Sequence, residues 1–240
     1  MQRAVLFTTL FAFAAVGSAS AQDQFEGVIV YRMSSDGRSM EMKISSRGEI
    51  SRMELTQGPG RGMGYQLVDR AKGTATFVMP EQKMYMIVDL AEQAEAMAGK
   101  QESDADFRIE ATGKKETIAE HECEHFLVTT KDEQMDICAA TGLGFMGGFA
   151  RNPMARGAAT GPSIPLQYRQ LAARFKDGFQ PLKVERIAGG GKREPVLEAL
   201  SVAREALAAE DFRVPAGFNK FEMPPGMAEM MKKMPKRPPR

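Results

Sequence analysis

The sequence has few of the residues and motifs on which enzymes depend. Its two histidines, His121 and His125, lie in one short segment. There is no Gly-x-Ser-x-Gly motif for a nucleophilic serine, and there is no phosphate-binding loop or dinucleotide-binding glycine motif. Carboxylates such as Glu122 and Glu124 are present, but their spacing singles out no acid and base. We therefore expect that the protein is not an enzyme and that it needs no cofactor.

Long apolar runs are also scarce, and the only one stands at the N-terminus. Arg3 precedes the apolar stretch 4–16, and the small residues Ala19 and Ala21 follow at the −3 and −1 positions. This pattern predicts a secretory signal peptide over residues 1–21. No second run is long enough to cross a membrane, so no transmembrane span is expected in the mature chain. We expect a soluble periplasmic or secreted protein.

The mature chain has no excess of either charge. Loss of Arg3 with the signal leaves basic and acidic residues equal in number, which argues against a nucleic-acid partner. The end of the chain, Lys232–Arg240, contains five basic residues and no acidic one. We expect a flexible tail over residues 225–240. The alternative is a weak contact of this cationic tail with an anionic envelope surface.

Short alternating segments predict an antiparallel sheet between residues 22 and 224, which we interpret as one domain. Met40–Ser45 alternates strictly between apolar and polar residues, which is typical of a half-buried strand. Phe107–Thr112 and Lys115–Ile118 are predicted as two strands around Gly113. Glu194–Arg204 fits a helix by propensity, but the glycine-rich turn before it favours a returning strand, and we choose the strand.

Helices are expected at few places in this sheet protein. Leu90–Ala98 predicts a short helix closed by Gly99, and a helical turn is expected at Ala206–Glu210. Ile164–Phe175 has one apolar stripe at helical spacing. The preceding segment Gly142–Gly161 is rich in glycine, alanine and methionine, and we interpret it as a long mobile loop.

The order of these segments resembles a family of exported bacterial proteins, the domain-of-unknown-function 4412 family. The segments that carry the resemblance are FEGVIVYRM, FVMPEQKMYMI, TIAEHECEHFLVTT, CAATGLGFM, PLKVERIAGGG and FRVPAGFNKFEMP, of which MPEQKMYM (Met79–Met86) is the most specific. The resemblance implies a relation to the periplasmic lipoprotein-carrier (LolA/LolB-like) architecture. The implied fold is mainly β, a curved antiparallel sheet or incomplete barrel wrapping over two or three helices. The family supplies no functional residues that can be transferred.

The segment His121–His125 (HECEH) places two histidines and Cys123 on one face of an extended strand, like metal ligands. Cys138 lies beyond a polar turn, where a hairpin brings it nearly opposite Cys123. Two cysteines in an exported protein most simply form a disulfide, and Cys123 then offers no thiolate. The two histidines would lie ~13 Å apart along the strand. We expect the disulfide Cys123–Cys138 and no metal site, unless a bulge or bend brings the histidines together.

Methionine is the other unusual feature, with 18 in the chain. Methionines on apolar strand faces are typical of a core, and they also suit an adaptable lining for a greasy ligand. Our leading hypothesis is that a hydrophobic or amphiphilic molecule, such as a lipid, binds in the concave face of the half-barrel. The loop 142–161 and the helix 164–175 would gate or plug this face. The predicted ligand-binding residues are Met42, Ile44, Met84, Met86, Tyr168, Leu171 and Phe175.

Two other hypotheses remain open at this point. The first is a protein that sequesters Cu(I) or another metal through the tail methionines, because thioethers bind Cu(I). These methionines are Met223, Met227, Met230, Met231 and Met234. The second is an envelope-interaction module that binds no small ligand.

Overall fold

The computed structural model of the protein describes residues 25–35, 37–58, 61–92, 108–130, 133–144, 171, 175 and 178–222. Within these residues the chain forms twelve β-strands. Their bounds are β1 Glu26–Ser35, β2 Arg38–Arg47, β3 Ile50–Gln57, β4 Tyr65–Asp69, β5 Thr74–Met79, β6 Met84–Asp89, β7 Arg108–Ile118, β8 His121–Thr129, β9 Gln134–Ala140, β10 Gln180–Ile187, β11 Arg193–Arg204 and β12 Asn219–Lys220.

All twelve strands belong to one open, curved sheet. Their spatial order is β12-β6-β5-β4-β3-β2-β1-β11-β10-β9-β8-β7, so that β12 and β7 form the two edges. Neighbouring strands are antiparallel except for the short β12, which pairs with β6 in parallel. The prediction of a mainly β protein built on a large curved sheet is confirmed, and the parallel edge pair was not foreseen.

The ambiguous segment Glu194–Arg204 is a strand, as the preceding turn predicted. It forms most of β11, which pairs with β1 on one side and with β10 on the other. A strand in this central position satisfies its backbone hydrogen bonds on both sides. This tertiary pairing overrides the local preference of its Leu and Ala residues for a helix.

The two or three helices that the sheet was expected to wrap over are not supported. Residues 90–92 are helical, and the Asp89 carboxylate caps them by accepting hydrogen bonds from the N–H groups of Ala91 and Glu92. The rest of the predicted helix Leu90–Ala98 lies outside the described residues. So does the predicted helix Ile164–Phe175, apart from Leu171, which is helical, and Phe175.

Other predictions fall partly or wholly outside the described residues. The signal peptide 1–21, the tail 225–240 and the loop Gly142–Gly161 beyond Gly144 are in this group. The helical turn expected at Ala206–Glu210 is a 3₁₀ turn displaced along the chain to Ala209–Phe212.

The segments predicted as two strands, Phe107–Thr112 and Lys115–Ile118, form the single strand β7. Its pairing with β8 shifts register between Ala111 and Lys115, and Gly113 at the shift has a φ of 72°. Glycine suits this left-handed conformation because it has no Cβ. The irregularity that the sequence signalled as a break between strands is therefore a bulge within one strand.

Apolar side chains collect on one face of the sheet, which we call the core face; the opposite face is the outer face. Directly paired residues on neighbouring strands point to the same side of the sheet. The buried apolar residues of the core face include Ile29, Tyr31, Met33, Met42, Ile44, Met53, Val68, Ala75, Phe77, Met86, Phe126, Val128, Ile137, Leu182, Val184, Leu197 and Ala199.

The close approach of β1 and β11 at Gly27 gives a stability prediction. A Cβ on Gly27 would collide with the backbone carbonyl oxygen of Ala203 and would lie 2.9 Å from the Phe25 ring. Because backbone cannot move aside cheaply, we expect Gly27→Ala to lower the free energy of unfolding by about 1–3 kcal/mol. Urea unfolding followed by circular dichroism measures this change.

The matched control is Gly189→Ala, in the turn between β10 and β11. A Cβ there would meet no atom within 4 Å, so the free energy of unfolding should stay nearly unchanged. Equal effects of the two substitutions would contradict the close approach of β1 and β11.

Candidate functional site

Four of the predicted ligand-binding residues lie on strands of the core face. Met42, Ile44 and Met86 are buried there, and Met84 is half-buried. Met84 pairs with Met79 on β5 and with Asn219 on the edge strand β12. The structure thus brings Met42, Ile44 and Met86 into the common core and places Met84 at its margin.

The predicted helical residues pack near the other half of the core face. Leu171 is fully buried in the core. The Phe175 ring packs edge-on against Phe126 of β8, with centroids 5.4 Å apart, and lies 5.2 Å from the Phe179 ring. Tyr168 lies outside the described residues.

One cross-strand row of the core face runs across β1 to β6. Its members are paired in register, strand by strand, and all are buried. They are Ile29, Ile44, Met53, Gln66, Phe77 and Met86.

Gln66 is the polar member of this apolar row. Its cross-strand neighbours are Met53 and Phe77, and its amide nitrogen Nε2 has no hydrogen-bond partner within the described part of the chain. The same holds for Nε2 of Gln180, whose Oε1 accepts a hydrogen bond from the Tyr31 hydroxyl at 3.2 Å. The core face therefore carries two buried amide donors that no described residue satisfies.

The disulfide Cys123–Cys138 is present, as the hairpin prediction required. The two Cα atoms are 5.3 Å apart. The pairing is diagonal, because His125 is the residue directly opposite Cys138. Both cysteines are buried and belong to the apolar cluster, and strand alternation places them on the outer face together with Glu116 and His125.

His125 stands between two carboxylates on this outer face. Its Nδ1 lies 2.7 Å from Asp136 Oδ1, and its Nε2 lies 3.0 Å from Glu116 Oε2. A carboxylate oxygen only accepts hydrogen bonds, so either ring nitrogen finds an acceptor when it carries a proton. The ring is 2% exposed, and its contacts with the two carboxylates are therefore shielded from solvent on the ring side.

Cations from β10 and β11 complete this network. Arg193 donates to Asp136 Oδ2 at 2.6 Å and to Glu185 at 2.9 Å. Lys183 donates to Glu116 Oε1 at 3.2 Å. Each of these two cations therefore faces at least one carboxylate from another strand. We call Glu116, His125, Asp136, Lys183, Glu185 and Arg193 the ionic network.

The network holds its two central carboxylates in the ionised form. Burial alone would raise the pKa of Asp136, but the hydrogen bonds from Arg193 and His125 outweigh burial and lower it below its usual value. Burial would likewise raise the pKa of Glu116. The hydrogen bond and charge of Lys183, with the hydrogen bond from His125, lower it instead.

The two histidines of HECEH do not come together. His121 Nδ1 lies 2.7 Å from the Ala119 carbonyl oxygen, whereas His125 belongs to the ionic network. Another group of possible metal ligands lies close together instead. Ligand atoms of Glu116, His125 and Cys138 are all within 4.8 Å of one another. In the oxidised protein Cys138 is bound to Cys123 and offers no thiolate.

Sequence reasoning found His125 and Cys138 but missed Glu116 and Asp136. These carboxylates lie on β7 and β9, and only the register of the sheet brings them to His125. One signal was available in the sequence, because Asp136 interrupts the apolar stretch of β9. Glu116 gave no such signal, since it lies opposite Cys123 only once β7 and β8 are paired.

The protein belongs to the family described as "Domain of unknown function (DUF4412)", whose model matches residues 25–218. This confirms the family that the sequence motifs indicated. A search of curated proteins gives no match. Among the residues that the structure describes, none belongs to a helix with the length and apolarity that a membrane crossing needs.

Several solved structures are similar to this chain at low identity. An uncharacterised conserved protein from Thermus thermophilus has 8% identity and a TM-score of 0.48, with 83% of this chain and 91% of that chain covered. The MucA/MucB complex of Pseudomonas aeruginosa has 12% identity and a TM-score of 0.44, covering 82% of this chain and 57% of that chain. A "putative outer membrane lipoprotein-sorting protein domain" from Vibrio parahaemolyticus has 8% identity and a TM-score of 0.32, covering 81% of this chain and 91% of that chain.

The ionic network predicts a pH-dependent contribution to stability from Asp136. Its lowered pKa means that this contribution is present above the unfolded-state value of ~3.9 and is lost as the pH falls below it. Asp136→Asn removes the negative charge that faces Arg193 and His125. Glu185, the other carboxylate partner of Arg193, remains. We expect a loss of about 3 kcal/mol near neutral pH and a smaller loss below pH ~3.

Urea unfolding from neutral pH down to pH ~2 measures this difference. Glu122→Gln is the matched control, because Glu122 pairs with Lys115 at 2.8 Å but its side chain is 65% exposed. We expect the control to change stability by less than about 1 kcal/mol. If the free energies of unfolding of Asp136→Asn and wild type differed by the same amount at every pH, the ionic role of Asp136 would be refuted.

Proposed function

We propose that this protein is an exported binding protein that holds a hydrophobic or amphiphilic molecule on the core face of its curved sheet, without catalysis. The observation that carries the proposal is the cross-strand row from Ile29 to Met86, an apolar and methionine-containing surface with one unsatisfied amide donor at its centre. Periplasmic or secreted localisation is part of the proposal and rests on the predicted signal peptide 1–21.

The apolar part of the row suits the tail of such a ligand. Met53 and Met86 lie on either side of Gln66 in the row, and Met42 lies in the adjacent row between Tyr31 and Leu55. Methionine is unbranched and polarisable, so it adapts its shape to different apolar partners. A surface that combines Met with Phe and Ile favours an aliphatic or aromatic group over a polar one.

The amide donor of Gln66 suits a polar group on the same ligand. A buried N–H group without a partner costs about 1–3 kcal/mol. A ligand oxygen that accepted this hydrogen bond would recover that cost and would orient the ligand on the sheet. An amphiphile with a carboxylate or ester oxygen supplies such an acceptor together with an apolar tail.

The binding face is tested by two lysine substitutions on strand β6. Met84→Lys puts a charge at the half-buried margin of the core face, where the ammonium can still reach water. We expect the affinity for the fluorescent apolar probe N-phenyl-1-naphthylamine to fall roughly tenfold, the equivalent of about one lost apolar side-chain contact.

Ile87→Lys is the control, because Ile87 lies on the outer face of the same strand and is 46% exposed. It should leave probe affinity unchanged. If both substitutions weakened the probe equally, or neither did, the core face would not be the binding surface.

The role of Gln66 is tested by Gln66→Leu. Removing an unsatisfied buried amide should raise the free energy of unfolding slightly. At the same time the affinity for the fluorescent fatty acid cis-parinaric acid should fall roughly tenfold through loss of one hydrogen bond to a charged acceptor. The affinity for N-phenyl-1-naphthylamine, which has no acceptor oxygen, should change little.

Gln134→Leu provides the matched control, because the Gln134 amide already donates to Thr129 at 3.2 Å and lies outside the row. We expect slightly lower stability and unchanged fatty-acid affinity. An unchanged affinity of Gln66→Leu for the fatty acid would remove Gln66 from the proposed site while leaving the apolar surface in place.

A further inference from the structure

Four side chains with metal-ligating atoms form a compact group on the outer face. Glu116 lies directly opposite Cys123, and His125 lies directly opposite Cys138. The residues come from three neighbouring strands, β7, β8 and β9. Ligand atoms of Glu116, His125 and Cys138 are within 4.8 Å of one another.

We propose that this group is a binding site for a zinc-type divalent cation when the Cys123–Cys138 disulfide is reduced. The ligands are the Cys138 thiolate, Nε2 of His125 and the Glu116 carboxylate, with the Cys123 thiolate as the fourth. Thiolate, imidazole and carboxylate are the ligand types that Zn²⁺ uses in proteins. The oxidised protein lacks the thiolates and therefore lacks the site.

The step from one form to the other requires a dithiol reductant. The dithiol gives two electrons and two protons to the Cys123–Cys138 bond and becomes a disulfide itself. The products in the chain are two thiols, and each thiol releases a proton when its sulfur binds the cation.

The orientation of the His125 ring favours metal binding through Nε2. Nδ1 is held by Asp136 at 2.7 Å, which directs Nε2 towards Glu116 at 3.0 Å. A carboxylate on the far nitrogen is the usual arrangement around metal-bound histidines, where it sets the tautomer and the ring orientation. Asp136 therefore acts as a positioning residue.

The separations need only a small adjustment to hold an ion. Bonds of ~2.0–2.3 Å to the metal place tetrahedral ligand atoms ~3.3–3.8 Å from each other. The Glu116–His125 contact is already at 3.0 Å. Glu116 has a side chain that is 31% exposed, so it can move outwards to admit the cation.

The cations around the site keep carboxylate partners when Glu116 turns to the divalent ion. Arg193 faces Asp136 on β9, and Lys183 lies 3.9 Å from Glu185 on its own strand β10.

Two single cysteine variants of the full chain test the site without any reductant. Cys123→Ser removes the disulfide and leaves Cys138 free beside His125, whereas Cys138→Ser removes the disulfide and the proposed ligand together. Titration with Co²⁺ reports a bound thiolate through a sulfur-to-cobalt charge-transfer band, and competition with Zn²⁺ gives the affinity. We expect Cys123→Ser to bind one Co²⁺ with this band and Cys138→Ser to bind at least tenfold more weakly.

Adding Asp136→Asn to Cys123→Ser separates the positioning role of Asp136 from the role of the residues that bind the metal directly. We expect a loss of roughly 10–100-fold in affinity with the charge-transfer band retained at saturating Co²⁺. His125→Gln in the same background should lower the affinity and shift the visible cobalt bands, because a ring nitrogen leaves the coordination sphere.

The proposal is overturned if folded Cys123→Ser binds no Co²⁺, or if the two cysteine variants bind it equally. Far-UV circular dichroism shows whether each variant is folded. If Cys123→Ser is not, the same titration on wild-type protein reduced with a phosphine decides the question, and a missing charge-transfer band there rejects the site.

Discussion

The two faces of this sheet depend on the two-residue alternation of its strands and on the pairing that aligns each strand with the next. Because successive side chains point to opposite faces, a slip of one residue in any strand would move its apolar set to the outer face. The row from Ile29 to Met86 exists because its members are paired directly across five consecutive strand pairs. The same alternation places Ile137 in the core and the adjacent Asp136 and Cys138 among the charges outside.

The two halves of the sheet hold their register by different means. From β1 to β6 burial of one face decides which residues face inwards, and the cross-strand ion pairs, such as Lys43–Glu54 and Arg47–Glu26, are partly exposed. From β7 to β11 a disulfide and polar contacts of buried side chains are added. The disulfide joins β8 to β9, and the ionic network joins β7 to β11 through His125, Asp136 and Arg193. Buried ion pairs contribute little net stability, but each fixes one pair of strands at one register.

Much of this arrangement could be predicted from the sequence, because alternation and turn residues are local signals. Strict alternation placed Met42 and Ile44 on a single face, and the turn before β11 outweighed a helical preference. The disulfide followed from two cysteines on either side of one hairpin. The family motifs identified the relatives of the chain.

The rest could not be predicted because it depends on which strands become neighbours. Asp136 is visible in the sequence as a break in an apolar stretch, but it and Glu116 become partners of His125 only through the pairing of β9 and β7 with β8. Gln66 belongs to an ordinary alternating strand until β3 and β5 place Met53 and Phe77 beside it. The parallel pairing of β12 with β6 is likewise a long-range contact, which a two-residue strand does not signal.

The unsatisfied Gln66 and the fully paired His125 show how differently the two faces treat buried polar groups. On the outer face, both ring nitrogens of His125 have hydrogen-bond partners within the chain, so no outside group is needed to satisfy them. This arrangement changes only if the disulfide is reduced. On the core face, the Gln66 amide donor faces apolar neighbours. The free-energy cost of its missing hydrogen bond is therefore relieved only by an acceptor from outside the described residues. This asymmetry is the physical reason why we propose an amphiphile for the core face and a cation for the outer face.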